Sequence, residues 1–204
     1  MSVSEDREVT PAVSPAAPAV SIADPGPLGL AASALTTFLL SAVNAHWTSG
    51  NSAGTAWLGY ALAYGGIVQL LAGMWEFRRG NVFASTAFSS YGAFWIGLFV
   101  WIRVAPLASG HDLGWILLAF AIFNTYMLLM ATQVNAAVFG VFLFLELTEI
   151  FLAIGNFATN VTISQVGGYL GLVTALVAWY TSAAGVSAGM GGRIQLRVGK
   201  PLIS

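Results

Sequence analysis

Two carboxylates in an apolar segment are the residues whose spacing most directly suggests chemistry. Residues 141–156 read VFLFLELTEIFLAIGN and include Glu146 and Glu149. Residues three positions apart on a helix lie on the same face, so both carboxylates would point in one direction. A charged side chain at the centre of a membrane helix costs on the order of 2.5–3.5 kcal/mol. The pair must therefore face water, bond to polar groups or be protonated.

The glutamate pair has two interpretations. No Lys or Arg lies inside the apolar runs, so no cation within the membrane is available to pair with the carboxylates. A protonated pair could simply bridge two helices. Ionisable groups inside a membrane are functional by default, however, which favours a solute or proton path. Glu146, about halfway along its segment, is the first candidate for proton coupling, and Glu149 is the second.

Side-chain amides also fall within the apolar runs, at Asn44, Gln69, Asn124 and Asn156. Each could replace part of the hydration of a solute that crosses the membrane. Each could equally form a hydrogen bond to a neighbouring helix, which is a common role of polar residues between membrane helices. The amides by themselves therefore do not indicate a pathway, and they are candidates for one only in combination with other features of the chain.

The composition requires a membrane protein to hold these residues. The chain has 204 residues, of which 57% are hydrophobic and 7% are charged, and its mean hydropathy is +0.80. Soluble domains carry about 25% charged residues. Asp, Glu, Lys and Arg are absent from residues 25–75, 80–102, 113–145 and 150–192. Since a membrane helix needs about 20 apolar residues, these stretches contain several spans.

Polar and Gly/Pro-rich breaks divide the apolar stretches into six segments. They cover approximately residues 28–47, 56–75, 88–104, 113–131, 136–155 and 164–188. Helix is expected because each backbone polar group must be paired within its segment. We therefore predict an all-α membrane protein with a six-helix domain over residues 24–190. Residues 1–23 are acidic and Pro/Ala-rich, which predicts a disordered cytoplasmic tail, and residues 191–204 form a basic cytoplasmic tail.

The distribution of positive charge predicts the orientation. Cytoplasmic loops of membrane proteins carry an excess of Lys and Arg. If both termini are cytoplasmic, only Arg103 lies on the outer side, and six basic residues lie on the inner side: Arg7, Arg78, Arg79, Arg193, Arg197 and Lys200. We therefore expect a multi-pass protein of the cytoplasmic membrane, surrounded by lipid, with both termini inside.

Several function classes lack sequence support. There is no cysteine, and the two histidines, His46 and His111, fall in predicted outer loops. HExxH, GxSxG and phosphate-loop motifs are missing, so we expect no enzyme, no cofactor and no metal site. The net charge of −1 gives no basic surface for nucleic acid. A transport protein fits best, and a non-transporting membrane sensor or scaffold is the alternative of another class.

The first helix is preceded by the motif DPGPLGL, which consists of Asp24, Pro25, Gly26, Pro27, Leu28, Gly29 and Leu30. Its Pro-Gly-Pro core predicts a non-helical segment at the inner surface, with Pro27 in the first turn before Leu28. The motif resembles the Asn-Pro-Ala-Pro-Leu-Gly-Leu signature of the acetate uptake transporter family of succinate–acetate permease-like proteins. The resemblance continues through ALTTFLLSAVNA, YGGIVQLLAGMWEFRRGNVFASTAFSSYGAFW and FLAIGNFATN.

The resemblance implies a six-helix protomer, a homo-hexameric ring and a solute path through each protomer. It further implies a constriction whose positions match Ser33, Tyr91 and Leu145 in this chain. Matching polar positions are Asn44, Gln69 and Asn156. The expected solute is acetate or a similar small monocarboxylate or dicarboxylate, moved by a channel or a proton-coupled carrier. A channel for ammonia, ammonium or another small neutral or cationic solute is the alternative.

The chain departs from the family pattern at three places. Asp24 stands where the family has Asn, and Ser33 stands where it usually has Phe. Glu146 and Glu149 occupy positions that are apolar or hydroxylic in the permeases. We therefore expect a constriction that is wider or closed by another residue. The glutamates are the positions where substrate choice or ion coupling would be decided.

Overall fold

The computed structural model describes residues 22–48, 56–104 and 109–203. In this part of the chain the regular structure is helical, and six helices are long and apolar enough to cross a membrane. They are α1 (Gly26–Asn44), α2 (Ala56–Arg79), α3 (Val82–Val104), α4 (Gly110–Ala131), α5 (Ala136–Phe157) and α6 (Val161–Met190). The prediction of six helical spans is confirmed. The predicted disordered tail lies almost entirely outside the described residues.

Side-chain caps and glycines set most of the helix ends. Helices α4, α5 and α6 follow Ser109, Asn135 and Asn160, whose side-chain oxygens each accept a hydrogen bond from a first-turn backbone N–H. Such caps satisfy N–H groups that have no partner within the helix. Helices α2 and α6 end before Gly80 and Gly191, which have φ angles of 75° and 61°. Glycine adopts this left-handed conformation without the strain that a Cβ atom would cause.

The start of α1 corrects one sequence prediction. The Pro-Gly-Pro core was expected to be non-helical, but α1 begins at Gly26 and includes Pro27 in its first turn. Proline is tolerated there because a first-turn N–H has no acceptor within the helix. The backbone N–H of Gly26 instead donates to Oδ1 of Asp24 at 2.9 Å. The non-helical segment is therefore limited to residues before Gly26.

The six helices form a closed ring in chain order. Each helix packs against the next one along the chain, and α6 closes the ring by packing along α1. Of the neighbouring pairs in the ring, α3 and α4 have the backbones that are farthest apart. Aromatic rings fill the space between these two helices. The ring centroids of Phe94 and Phe120 are 4.7 Å apart, and those of Tyr91 and Phe120 are 5.6 Å apart. The interior of the ring is the place where polar side chains from several helices can meet.

Small residues of α6 allow α1 to approach closely. A Cβ atom on Gly168 would lie 2.5 Å from the backbone nitrogen of Ala45. Gly171 faces Ser41 of α1 and Thr148 of α5. These glycines therefore pack helices within one protomer, as small residues often do between membrane helices. Gly189, by contrast, has no neighbouring atom within 4 Å of an added Cβ.

Helix α2 contains a π-helical segment, Ala61–Val68. π-Helical segments are rare in proteins as a whole, and those that occur are often at functional sites. Gly65 lies against Thr36 of α1, and Gly66 lies against Ile96 of α3. The wider turn therefore contacts both neighbouring helices.

The residues after α6 fold back on the ring. The backbone N–H of Ala137 donates to the carbonyl of Val198 at 2.9 Å, and that of Leu202 donates to Thr132 at 2.7 Å. The hydroxyl of Tyr180 donates to the Arg197 carbonyl at 2.7 Å. The chain therefore covers the α4–α5 turn at the end of the ring that carries Arg79, which we call the basic end. The opposite end is the Asn156 end.

Candidate functional site

A cavity of about 40 Å³ lies inside the helix ring. By this measure one water molecule needs about 10–15 Å³, so the cavity has room for roughly three waters. Four helices contribute its lining: Ser33, Thr37, Leu40, Ser41 and Asn44 from α1; Tyr91, Phe94 and Trp95 from α3; Leu117 from α4; and Leu145, Thr148, Glu149 and Leu152 from α5. The cavity combines an apolar wall with a small number of polar groups.

The structure brings the three expected constriction positions together. Ser33, Tyr91 and Leu145 come from α1, α3 and α5, and all three line this cavity. The Tyr91 side chain is buried, and its ring lies within 5.6 Å of the Phe120 and Phe123 rings, centroid to centroid. Phe94 and Trp95 supply aromatic bulk beside Ser33 in the lining. The expected constriction positions therefore lie around a single cavity.

Tyr91 is the centre of a buried hydrogen-bond network. Its hydroxyl lies 3.0 Å from Oδ1 of Asn124 and 3.1 Å from Oε1 of Glu149. The Nδ2 of Asn124 donates to the Phe142 carbonyl at 2.9 Å and to Oε2 of Glu146 at 2.7 Å. The two glutamates are therefore connected through one tyrosine and one asparagine. Each of these polar groups gains a partner in a region from which water is largely excluded.

The two glutamates have different surroundings. Glu149 is 3% exposed and lines the cavity. Glu146 is half-buried and is not among the cavity-lining residues; its Oε1 accepts from the hydroxyl of Thr125, an exposed residue of α4, at 2.8 Å. Glu146 therefore lies on the outer flank of the α4–α5 pair, and Glu149 lies on the interior side. The geometry gives Glu149 the more direct relation to the cavity.

A polar stripe on α1 is the main feature that sequence analysis missed. Ser33, Thr37, Ser41 and Asn44 are spaced by four, four and three residues, which places them on one helix face. All four line the cavity. The spacing was visible in the sequence, but hydroxyl residues are too common in membrane helices to indicate a cavity by themselves. Ser33 and Asn44 were expected as single positions from the family resemblance, whereas Thr37 and Ser41 were not. Phe94, Trp95 and Thr148 were also missed, because single aromatic and hydroxyl residues are common in membrane helices.

Toward the Asn156 end, the central cavity shares lining residues with two further spaces. A vestibule of about 880 Å³ opens there, and Asn44, His46, His111, Asn156 and Asn160 are among its lining residues. A narrower space of about 60 Å³ shares Asn44 and Asn156 with the vestibule, and Leu40, Phe94, Leu117 and Leu152 with the central cavity. Asn44 and Asn156 therefore lie between the vestibule and the central cavity.

A layer of packed residues closes the cavity toward the basic end. Its buried members are Ala34, Ala87, Tyr91, Met127, Ala131, Val141, Phe142 and Ala178, and Leu145 packs against them. On the other side of this layer lies a second cavity of about 240 Å³, which Ala87 and Phe142 also line. Packed side chains at and beyond Tyr91 and Leu145 therefore separate the two cavities.

An ion pair lies at the cavity of the basic end. Nη1 of Arg79 is 2.5 Å from Oδ1 of Asp24 and 3.5 Å from Oε2 of Glu76. All three residues line the cavity at that end. The Asp that replaces the family's Asn thus connects the segment before α1 to the end of α2.

Gln69 has a different position from the other predicted amides. It is fully buried, at 1% exposure, but it is not among the residues that line the central cavity. Its Oε1 has no hydrogen-bond partner among the described residues. The prediction that Gln69 is a pathway group remains untested by this geometry.

The polar groups of the cavity can hold a small solute but offer no metal chemistry in the described ranges. Within residues 22–48, 56–104 and 109–203, no group of three or more His, Asp or Glu could bind a metal ion. The available groups are hydroxyls, amides, one carboxyl group and aromatic edges. Such groups replace hydration and fix orientation, which are the tasks of a selective pore.

Six membrane-length helices in a ring around a partly polar cavity are the architecture of a multi-pass membrane protein. Residues 6–199 match the model of the GPR1/FUN34/yaaH family. The chain belongs to this family. The family expected from the DPGPLGL motif and the helix-3 segment is thereby confirmed.

Named relatives and a solved structure agree with this assignment. The chain is 35% identical to ammonia transport outward protein 2 of Saccharomyces cerevisiae, with 88% of this chain and 66% of that protein covered. It is 35% identical to the succinate-acetate/proton symporter SatP of Escherichia coli, with 88% and 96% covered. The structure of the bacterial acetate channel SatP superimposes with a TM-score of 0.81 at 32% identity, covering 88% of this chain and 100% of that one.

Proposed function

We propose that this chain moves small carboxylates, with acetate as the first candidate, through the cavity inside its helix ring. The observation that carries the proposal is the cavity that Ser33, Tyr91 and Leu145 line together. Its volume of about 40 Å³ matches a solute about as large as three waters, which is close to the size of acetate. The proposed role is transport and not catalysis.

The similar proteins support this substrate class. The bacterial relative at 35% identity is named a succinate-acetate/proton symporter, and the matching structure is that of an acetate channel. The yeast relative is named for outward ammonia transport, so ammonium is the second candidate solute. The hydroxyl groups of α1 that line the cavity can donate hydrogen bonds to carboxyl oxygens, which is compatible with the first candidate.

The proposed path begins in the vestibule at the Asn156 end. Asn44 and Asn156 would replace part of the solute's hydration as it leaves the vestibule. Ser33, Tyr91 and Leu145 would form the narrow part. Passage to the basic end then requires a movement of the packed layer that includes Tyr91 and Phe142, because that layer separates the two cavities.

Proton coupling is proposed for the two glutamates, with Glu149 placed first because it lines the cavity. Glu146 reaches the same network through Asn124. Its place on the outer flank also suits a contact between protomers, since a carboxylate that faces lipid is costly.

We propose a homo-hexamer with a path in each protomer, as the resemblance to the acetate uptake transporter family implies. Native mass spectrometry of the purified protein would test the subunit number.

The proposed location is the cytoplasmic membrane with both termini inside. Arg78, Arg79, Arg193, Arg197 and Lys200 all lie at or beyond the same end of the ring, which the positive-inside rule assigns to the cytoplasm. The vestibule would then open outward. Residues 1–23 and 191–204 would lie on the cytoplasmic side of the 24–190 domain.

Uptake of labelled acetate into proteoliposomes tests the proposed function. We expect wild type to exceed protein-free vesicles, and Ser33→Trp to lose most of that excess because the larger side chain fills the cavity. Leu176→Trp is the matched control, since Leu176 is 59% exposed on the outside of α6. Equal acetate uptake by the Ser33 variant and wild type would exclude this path. Uptake of methylammonium without uptake of acetate would favour ammonium, the second candidate solute.

A further inference from the structure

The last turns of α6 extend beyond the helix ring at the basic end. Helix α6 has 30 residues, Val161–Met190, so at 1.5 Å per residue it is about 45 Å long, which exceeds the roughly 30 Å hydrocarbon core of a bilayer. Ser182 of α6 donates to the Pro27 carbonyl at 2.6 Å, and Gly185 lies against the Pro27 ring. Because Pro27 belongs to the first turn of α1, residues 186–190 lie beyond the start of that helix.

The residues that follow α6 form the second wall of an apolar groove. Residues 192–203, which we call the C-terminal segment, are held to α6 where the Ser187 hydroxyl donates to the Ile194 carbonyl and the Tyr180 hydroxyl donates to the Arg197 carbonyl. The groove between them measures about 560 Å³, and its apolar lining residues are Ala183, Val186, Met190, Ile194 and Leu196. All of these except Ala183 are exposed. Exposed apolar side chains that share one groove indicate a binding surface.

Basic side chains accompany this apolar surface. Arg193 lines the groove, Arg197 directly follows the lining residue Leu196, and Lys200 lies three residues further along. All three basic residues are exposed, and neither ion pair of the described residues involves them. The chain has no Asp or Glu after Glu149. The groove therefore combines apolar walls with a local excess of positive charge.

An anionic phospholipid has the chemistry that fits both features of the groove. Its acyl chains match the apolar walls, and its phosphate matches a guanidinium group, which binds phosphate through two parallel hydrogen bonds. Basic pockets at a membrane surface are typical sites for anionic headgroups. A zwitterionic phospholipid offers the same acyl chains without a net negative charge, so the basic residues would attract it less.

We propose that this groove is a site for an anionic phospholipid, with an acyl chain between α6 and the C-terminal segment and the headgroup phosphate at Arg193 and Arg197. The bound lipid would hold the segment against the ring, where the Ala137 N–H donates to the Val198 carbonyl at 2.9 Å. This inference depends only on the membrane location of the six helices. It does not rest on the solute that the chain carries or on the orientation of the chain.

Quenching by brominated lipids tests which lipid occupies the groove. Because the chain has no cysteine, Ile194→Cys carries a single bimane label on the groove wall. Proteoliposomes contain equal amounts of phosphatidylglycerol and phosphatidylcholine, and the acyl chains of only one of the two lipids carry bromine. We expect stronger quenching when phosphatidylglycerol is brominated. Leu176→Cys, on the exposed face of α6, is the matched control and should be quenched equally by both lipids.

A titration tests the contact between Arg193 and the phosphate. The same label is followed while brominated phosphatidylglycerol replaces phosphatidylcholine in the vesicles. In Arg193→Gln, half-maximal quenching should require about fivefold more phosphatidylglycerol, since one basic residue near the surface contributes about 1 kcal/mol to the attraction of anionic lipid. Arg103→Gln removes an exposed charge at the other end of the ring and should leave the titration unchanged. An equal titration in the wild-type background and in Arg193→Gln would overturn the proposed contact.

A label on the opposite wall guards against a local disturbance of the C-terminal segment. Val186→Cys places the bimane on α6 in the same groove, and it should show the same lipid preference as Ile194→Cys. A preference at only one wall would contradict a lipid seated between them, and equal quenching by both lipids would exclude selection of the anionic headgroup. Quenching by neither lipid would mean that protein covers the groove, either a second copy of the chain or residues 1–21, and would overturn the proposal. Because the assay measures no transport, such a failure would leave the proposed carboxylate transport unaffected.

Discussion

At the residue scale, the interior depends on the hydroxyl group of Tyr91. It joins Asn124 of α4 to Glu149 of α5 across the part of the ring where α3 and α4 are least close. Aromatic side chains fill the remaining space there, but they cannot satisfy polar atoms. One hydroxyl therefore both completes the polar network and ties together three helices of the ring.

Replacing Tyr91 by Phe should destabilise the folded protein. The ring and its packing are kept, but Oδ1 of Asn124 and Oε1 of Glu149 each lose their partner. A buried polar group without a partner costs about 1–3 kcal/mol. We expect a lower melting temperature in detergent, measured by tryptophan fluorescence.

The matched control for this prediction is Tyr126→Phe. Tyr126 is 48% exposed on the outside of α4, where the loss of a hydroxyl should change the free energy of unfolding by less than about 0.5 kcal/mol. An equal shift in both variants would mean that the network around Tyr91 does not contribute specifically to stability.

At the scale of helices, the ring closes because α6 has a glycine at the position where it packs against α1. Gly168 lies against the backbone of Asn44 and Ala45 at the end of α1. Backbone atoms cannot move aside as a flexible side chain can. This contact also holds Asn44 at the boundary between the vestibule and the central cavity, so helix packing and path geometry depend on the same residue.

The substitution Gly168→Ala should therefore be costly. The added Cβ would lie 2.5 Å from the Ala45 nitrogen and 2.8 Å from the Asn44 carbonyl carbon. Overpacking of this kind costs about 1–3 kcal/mol, which thermal unfolding should detect. Gly189→Ala on the same helix has no atom within 4 Å of the new Cβ, and we expect it to be neutral or to stabilise by up to about 1 kcal/mol through helix propensity. Similar losses in both variants would argue against close α1–α6 packing.

Helix number and type were predictable from the sequence, while several boundaries were not. Charge-free apolar stretches admit little except membrane helices, so all six were found. The start of α1 was misplaced because Pro and Gly break a helix interior but are accepted in a first turn. The start of α3 was placed at residue 88, whereas Asn81 accepts a hydrogen bond from the Ala84 N–H and α3 begins at Val82. A cap of this kind affects only a single helical turn. Hydropathy is averaged over a window of many residues, so it does not detect such a cap.

At the scale of the whole molecule, the two ends of the ring differ. A wide polar vestibule opens at the Asn156 end, and the basic end has an ion pair and a smaller cavity behind the closed layer. The excess of Lys and Arg at the basic end favours the proposed orientation, in which that end is cytoplasmic.

The absence of cysteine from the chain makes the proposed orientation easy to measure. Thr48 lines the vestibule, and Val82 is 76% exposed at the other end of the ring. In intact cells, a membrane-impermeant maleimide should label Thr48→Cys directly. It should label Val82→Cys only after permeabilisation. The unsubstituted chain is the blank, and the reverse pattern of labelling would contradict the predicted orientation.

The sequence by itself determined the membrane environment, the six helices, the family and the set of unusual residues, because each depends on composition, local spacing or a linear motif. Only the tertiary structure decided what those residues do together. Glu146 and Glu149 lie on roughly one helix face, yet Glu149 reaches Tyr91 inside the ring and Glu146 reaches Thr125 on its outer flank. That difference depends on where α3 and α4 pack against α5. Contacts between residues 33 to 58 positions apart along the chain leave no local pattern that a single sequence can reveal.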